Sequence, residues 1–455
     1  MRIEQLYGSF AEFGSVSAPV GLCYIAAKLR AEGYPVSILD AEALQLDVPS
    51  TVEKILDYAP DVVGMSCKTA WVINAHRVAE GLKKRRPQLS IVAGGHHVTI
   101  LPERSLREFP SFDYLVLGEG EITFSELLVA LRSGHDLARI PGLAFRADGV
   151  PVITAPRERI KDLDAIPPPA YDLLPTLESH YWPIFNNVEK LPAFSVILSR
   201  GCTGKCTFCD RGMFGNRITR HGPDYGVTLI EKLRDEHGIK YLVFDDDNFL
   251  LNKNYLVRFL DDMVERRVKV PFSCESRVDT IDEERLVQLK RAGCRQIMFG
   301  IESGSQKMLD MMNKGISIDQ IREAVKITQK HGIKTLGYFM LGYPGETERT
   351  MAETEKLIKE LKLFDVSVQT FTPLPGAEIY SRVPEFGDYV EDWEKSGCLD
   401  EVVFVPHGLT ASKIAEYVKR CYDACYNRPY QWLMAPTRIH TFKHFKGLMR
   451  YYFAT

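Results

Sequence analysis

Residues 193–211 read AFSVILSRGCTGKCTFCDR, a stretch whose two halves differ in character. Its first half is a short apolar run of strand character. Its second half delivers Cys202, Cys206 and Cys209 at Cys-x3-Cys-x2-Cys spacing. Thiolate sulfur is the ligand of iron–sulfur clusters, and four ligands would close a four-iron cluster. Three cysteines from one loop, with no fourth cysteine or histidine close by, leave one iron open to a substrate or cofactor. A structural zinc site wants four protein ligands, usually as two separated knuckles, and the chain has no second knuckle. Ten cysteines in 455 residues make no disulfide framework.

Downstream of this loop, strand and helix patterns alternate. The runs at 239–249 (IKYLVFDDDNF), 270–279 (VPFSCESRVD), 294–304 (CRQIMFGIESG), 333–346 (IKTLGYFMLGYPGE) and 366–376 (VSVQTFTPLPG) read as strands separated by helices. With 193–199 they predict a partial (β/α)6 barrel of the TIM type over residues 191–384, whose chemistry sits at the carboxyl ends of its strands. Those ends present Asp245, Asp246 and Asp247 as candidate catalytic carboxylates. They also present Arg277, suited to gripping a carboxylate with its planar fork, and the glycine-flanked Glu302.

Upstream, residues 1–150 alternate short strands (2–8 and 35–41 among them) with amphipathic helices. This predicts a doubly wound, Rossmann-like α/β domain with an open parallel sheet. Ligands in such sheets bind at strand ends, here 66–69, 94–97 and 118–121. A hairpin is expected at 141–154, with its turn at Asp148 and Gly149. Pro167, Pro168 and Pro169 mark residues 151–190 as a linker. Residues 385–455 read as a helical, aromatic C-terminal segment. In it Cys421 and Cys425 share a helix face as buried thiols, and the basic tail 437–453 packs on the barrel. The composition is 45% hydrophobic and 26% charged with a net charge of −3, so no basic field draws the protein to nucleic acid or acidic lipid. No apolar run is long enough to span a bilayer, and free cysteines point to the cytoplasm.

The run SRGCTGKCTFC, with Phe208 beside its third cysteine, resembles the signature of the radical S-adenosylmethionine (SAM) enzymes. DDDNF (245–249), SRVD (276–279), GIESGSQ (300–306) and GYPGET (342–347) follow in that family's order. The resemblance implies a 4Fe-4S cluster on Cys202, Cys206 and Cys209, with the SAM amine and carboxylate on the open iron. One electron would cleave SAM to a 5′-deoxyadenosyl radical that abstracts hydrogen from a small-molecule substrate. It also implies SAM contacts from Phe208, Asp246, Asp247, Arg277, Gly300, Glu302, Ser303, Gly337 and Leu341. Residues 18–42, 64–69, 93–103 and 113–128 look like the cobalamin-binding domain found ahead of many radical SAM modules. A corrin would then lie against Ser66, Thr69, Gly94, Gly95, Gly118 and Glu119. The family's Asp-x-His-x-x-Gly motif is missing, so cobalt would have no histidine ligand. Two outcomes stay open. One is cobalamin-dependent C-methylation. The other is dehydration or deoxygenation of a sugar-like (aminoglycoside-type) diol, or carbon–carbon bond formation, with a domain that no longer binds cobalamin. In that second route the Asp245–Asp247 group is a candidate base. An intact SAM motif set argues against a non-catalytic sensor. An electron donor such as flavodoxin or ferredoxin is expected as a partner.

Overall fold

The computed structural model describes residues 16–181, 188–396, 401–429 and 431. The expected strand 2–8, Cys398 and the tail 437–453 lie outside the described residues. The N-terminal sheet runs β1 (Val62–Ser66), β2 (Ser90–Gly94), β3 (Tyr114–Val116), β4 (Leu143–Ala147) and β5 (Val150–Ile153), paired in that order. Pairing is parallel from β1 to β3 and antiparallel from β3 to β5. The expected hairpin is therefore the far edge of this sheet, and residues 151–153 belong to it rather than to the linker. Residues 35–41 form no strand.

One helix of this domain is capped by its own sequence. Asp47 accepts from the Ser50 amide to start Val48–Asp57. The linker is no free tether. Ile160, Leu163, Ile166, Ala170 and Tyr171 are buried, and Tyr171 packs edge-on against Phe194 with ring centroids 5.0 Å apart. Val20, Cys23 and Tyr24 of the Val20–Ala31 helix share one apolar core with the barrel.

The barrel strands are β6 (Ala193–Val196), β7 (Tyr241–Phe244), β8 (Phe272–Ser276), β9 (Cys294–Glu302), β10 (Lys334–Leu341) and β11 (Asp365–Thr370). They pair in sequence order, all parallel. Strand residues alternate between two faces. Ala193, Tyr241, Val243, Met298 and Leu336 meet on the inner face as one cluster. Residues from strands that are not neighbours meet only if the sheet curls. Phe244, Cys274, Ile297, Phe299, Phe339 and Leu341 face the helical layer.

The Ala411–Tyr426 helix covers β11, where the Tyr422 hydroxyl accepts from the Val368 amide (3.1 Å) and donates to its carbonyl (3.3 Å). The segment expected to be helical from 385 onward opens instead with a short antiparallel pair, Gly387–Tyr389 with Phe404–Pro406. Between these strands Trp393 inserts into the core of the N-terminal domain.

Candidate cluster and cofactor site

The cysteine loop leaves the end of β6 through a narrow neck. Ser199 and Arg200 pair antiparallel with Thr219 and Arg220, closing residues 201–218 into a loop. Gly201 sits at φ +93, where a side chain would run into the Arg217 carbonyl. The far side is pinned to the barrel: the Thr207 amide donates to the Met312 carbonyl (2.9 Å), and the Ile379 amide donates to the Thr207 carbonyl (3.0 Å).

Inside the loop the Gly204 amide donates to Cys202 Sγ at 3.3 Å. A Cβ on Gly204 would lie 3.4 Å from Cys202 Sγ and 3.9 Å from Cys206 Sγ, so its bare backbone leaves room around the thiols. The Arg277 guanidinium reaches to 3.9 Å from Cys206 Sγ. Three thiols on one loop, Cys202 served by an amide and Cys206 by a cation, suit thiolate ligation of an iron–sulfur cluster, while burial pushes the free Cys209 thiol up to about 12. Among the described residues no trio of His, Cys, Asp or Glu converges on a single metal ion. Cluster thiolates bind separate irons and need no such convergence.

The three adjacent aspartates do not act as one group, because successive residues point to different sides of the strand end. Asp245 faces the barrel interior, next to the largely buried Glu275. Asp246 is 1% exposed and turned under the neck, accepting from the Leu198 amide (3.1 Å) and the Ser199 hydroxyl. Asp247 is exposed at the rim. Arg277 is held by Asp279 through two hydrogen bonds of 2.9 and 2.8 Å and donates to the Lys314 carbonyl at 2.7 Å. Glu302, at φ +66, pairs with Lys314 at 2.6 Å. A Cβ on Gly300 would lie 2.8 Å from both of those charged groups. The Lys314 ammonium also lies 5.8 Å from the Phe208 ring centre. Lys314 thus links Phe208 of the cysteine loop to Glu302 and Gly300 of β9, and its carbonyl holds Arg277.

Ser303, Gly337 and Leu341 do not join them. Ser303 is fully buried and accepts from the Ser305 amide (3.1 Å). A Cβ on Gly337 would meet Leu363 and Ile301 in the helical layer, and Leu341 is buried in the same layer. The inward residues of β10 are Tyr338 and Met340 instead. Sequence reading also passed over Glu275 and Tyr338. The Tyr338 hydroxyl donates to Glu275 Oε1 at 2.9 Å, reaching across β9 where Gly300 has no side chain. Burial, with the neighbouring Asp245 charge, pushes the Glu275 carboxyl up to about 8, and burial pushes Asp245 up to about 6. The signal was available: Glu275 lies two residues past inward-facing Ser273.

The strand ends of the N-terminal domain open toward this loop. Ser66 and Lys68 are exposed. Gly95 (φ +101) follows β2, where a Cβ would come within 2.9 Å of the Cys67 carbonyl, and a Cβ on Gly118 would meet open space. His96 packs edge-on against Phe214 of the cysteine loop, with ring centroids 6.4 Å apart. Glycine backbone at the ends of β2 and β3, beside the exposed Ser66 at the end of β1, suits a flat cofactor. Thr69 is buried and within 3.3 Å of His97 Nδ1, away from that opening. His97 packs edge-on against Trp393, so it is a core residue rather than a ligand. Glu119 is spent on Arg200 (2.8 Å) and the Ile160 amide (2.8 Å). Cys23, Cys67, Cys274, Cys294, Cys421 and Cys425 are buried.

Comparison with known proteins matches the B12 binding domain to residues 9–128 and the radical SAM superfamily to residues 196–358. An uncharacterized methyltransferase of Pyrococcus horikoshii is 33% identical over 97% of this chain and 95% of its own. The anaerobic magnesium-protoporphyrin IX monomethyl ester cyclase of Rubrivivax gelatinosus is 30% identical over 87% of this chain and 72% of its own. A radical SAM methyltransferase from Kitasatospora setae, solved with cobalamin and a [4Fe-4S] cluster, superposes with TM-score 0.68 at 21% identity, covering 89% of this chain and 79% of that one. At that identity the likeness is one of fold.

Proposed function

The chain belongs to the family of radical SAM proteins that carry a B12 binding domain, and from that premise we propose that it transfers a methyl group to a carbon atom of a small-molecule substrate. The observation that carries this reading is the apposition of two sites. Ile100, just past the end of β2, touches Gly212 of the cysteine loop, and His96 packs on Phe214 of the same loop. A substrate held there would be shared by both cofactors. The methyltransferase names of relatives support methyl transfer, and the dehydration and deoxygenation route draws no comparable support.

When bound, the cluster supplies the electron that breaks a carbon–sulfur bond of SAM, and the corrin supplies the methyl group. The rest is the work of this chain. Cys202, Cys206 and Cys209 hold the cluster, while the Gly204 amide and Arg277 stabilise the charge on sulfur. Glu302, Gly300, Phe208 and Asp247 line the SAM side. Ser66, Gly94, Gly95 and Gly118 offer backbone to the corrin. Asp245, Glu275 and Tyr338 close the barrel floor beneath the substrate, where exclusion of water protects a reactive centre. Among the described residues no helix is long and apolar enough to cross a membrane. A cytoplasmic flavodoxin or ferredoxin is the proposed electron source.

Anaerobic reconstitution with SAM, with and without hydroxocobalamin, tests the reading through the optical spectrum of the protein fraction. A retained corrin band together with 5′-deoxyadenosine supports methylation. 5′-Deoxyadenosine without bound corrin moves the reading to the dehydrating alternative, and the absence of both refutes it.

A further inference from the structure

The neck of the cysteine loop is fastened from three directions. From the barrel, Asp246 holds the Leu198 amide and the Ser199 hydroxyl. From the linker, Arg159 bridges both strands of the neck. Its Nη1 donates to the carbonyls of Phe214 (2.9 Å) and Arg217, and its Nη2 donates to the Arg200 carbonyl (3.0 Å) and Thr219 Oγ1 (2.7 Å). From the N-terminal domain, Glu119 and Glu121 take the two ends of the Arg200 fork at 2.8 and 2.6 Å. The other oxygen of Glu119 accepts from the Ile160 amide, so one carboxylate grips both the neck and the segment that carries Arg159.

These groups are dry. The side chains of Glu119 and Glu121 are each 5% exposed, and that of Arg200 is 11% exposed. Burial opposes the charge on Arg200, yet the two carboxylates hold its pKa above the ordinary value. A buried charge cluster is a poor source of stability compared with apolar packing, and its attested use is to fix geometry. Its location matters as much as its chemistry. Glu119 and Glu121 flank the turn that follows β3 and starts the Gly120–Ser133 helix, next to Gly118. A ligand seated over Gly118 bears on the same turn that holds Arg200.

We propose that Glu119 and Glu121 are positioning residues which, acting through Arg200, set the cysteine loop against the ligand at the N-terminal strand ends, so that occupancy there tightens the neck. This rests on the reading of those strand ends as a corrin site. The three contributions come from three separate chain segments, so the loop reaches its working orientation only when barrel, linker and N-terminal domain are all in place.

Hydrogen exchange on the cluster-loaded full chain, with and without hydroxocobalamin, tests this. In the unmodified protein the corrin slows exchange both at residues 92–120 and at residues 199–220. In Glu119→Gln/Glu121→Gln, protection at 92–120 persists and protection at 199–220 is lost. Arg200→Lys, which keeps a cation at the neck but loses the fork that joins the two glutamates, gives the same selective loss and serves if the double variant does not fold. The proposal is overturned if neck protection survives in the variants, or if the unmodified protein carries a bound corrin by its optical spectrum and the neck does not respond. A protein with no bound corrin and no protection at either segment refutes the cobalamin reading instead.

Discussion

Glu275 carries a raised pKa inside the barrel, and that has a measurable consequence. An unfolded glutamate ionises near pH ~4.3, whereas the folded one holds its proton to about 8. Between those values the native state binds a proton that the unfolded chain has lost, so stability falls as pH rises through this window. Glu275→Gln cannot ionise. Denaturant titrations at pH 5 and pH 8 should show it gaining on the wild type with rising pH, by about 3–4 kcal/mol between the two pH values. Parallel pH profiles would show that Glu275 is not proton-loaded in the folded state. The cysteine trio was legible at this scale because its spacing is a chemical pattern. The side chains facing the barrel interior were not. Parallel strands covered on both faces are apolar throughout and give no alternation by which to tell in from out. Sequence pattern therefore does not separate Gly337 and Leu341, which face the helical layer, from Tyr338, which turns inward.

At the scale of elements, the six barrel strands were readable as runs between helices, and each lies where the pattern puts it. The exception was at the margins. Residues 35–41 look like a strand and are not one, and 387–389 with 404–406 pair within a segment expected to be helical. Short strands depend on partners distant in sequence, which a local pattern does not encode. The last barrel strand depends on such a partner too. Tyr422 satisfies both backbone groups of Val368 on β11. Tyr422→Phe leaves them without that partner and should lower unfolding stability by about 1–3 kcal/mol, read by denaturant titration. An unchanged midpoint would mean that the hydroxyl does nothing for the strand edge.

At the scale of the whole molecule, the C-terminal segment ties the N-terminal domain to the barrel. Trp393 is 7% exposed, donates to Glu108 at 3.1 Å and lies 4.7 Å beneath the Arg104 guanidinium, which in turn grips Glu391. Trp393→Ala should cost about 3–5 kcal/mol and split thermal unfolding into two transitions, the N-terminal domain melting first. A single transition at an unchanged temperature would contradict this tie.

The cluster was legible because it rests on a contiguous motif, and the domain order because the motifs of the two domains follow one another along the chain. The Glu119–Arg200 contact was not, because it joins residues from two domains that only the fold brings together. The central claim is that Cys202, Cys206 and Cys209 hold a cluster with an open iron on which SAM is cleaved. The most direct measurement is the iron content of anaerobically purified protein, with 5′-deoxyadenosine formed after reduction, for the wild type and the triple cysteine-to-alanine variant. The account predicts iron-loaded, SAM-cleaving wild type and an iron-free, inert variant. A wild type without iron, or a variant that cleaves SAM at the wild-type rate, would contradict it.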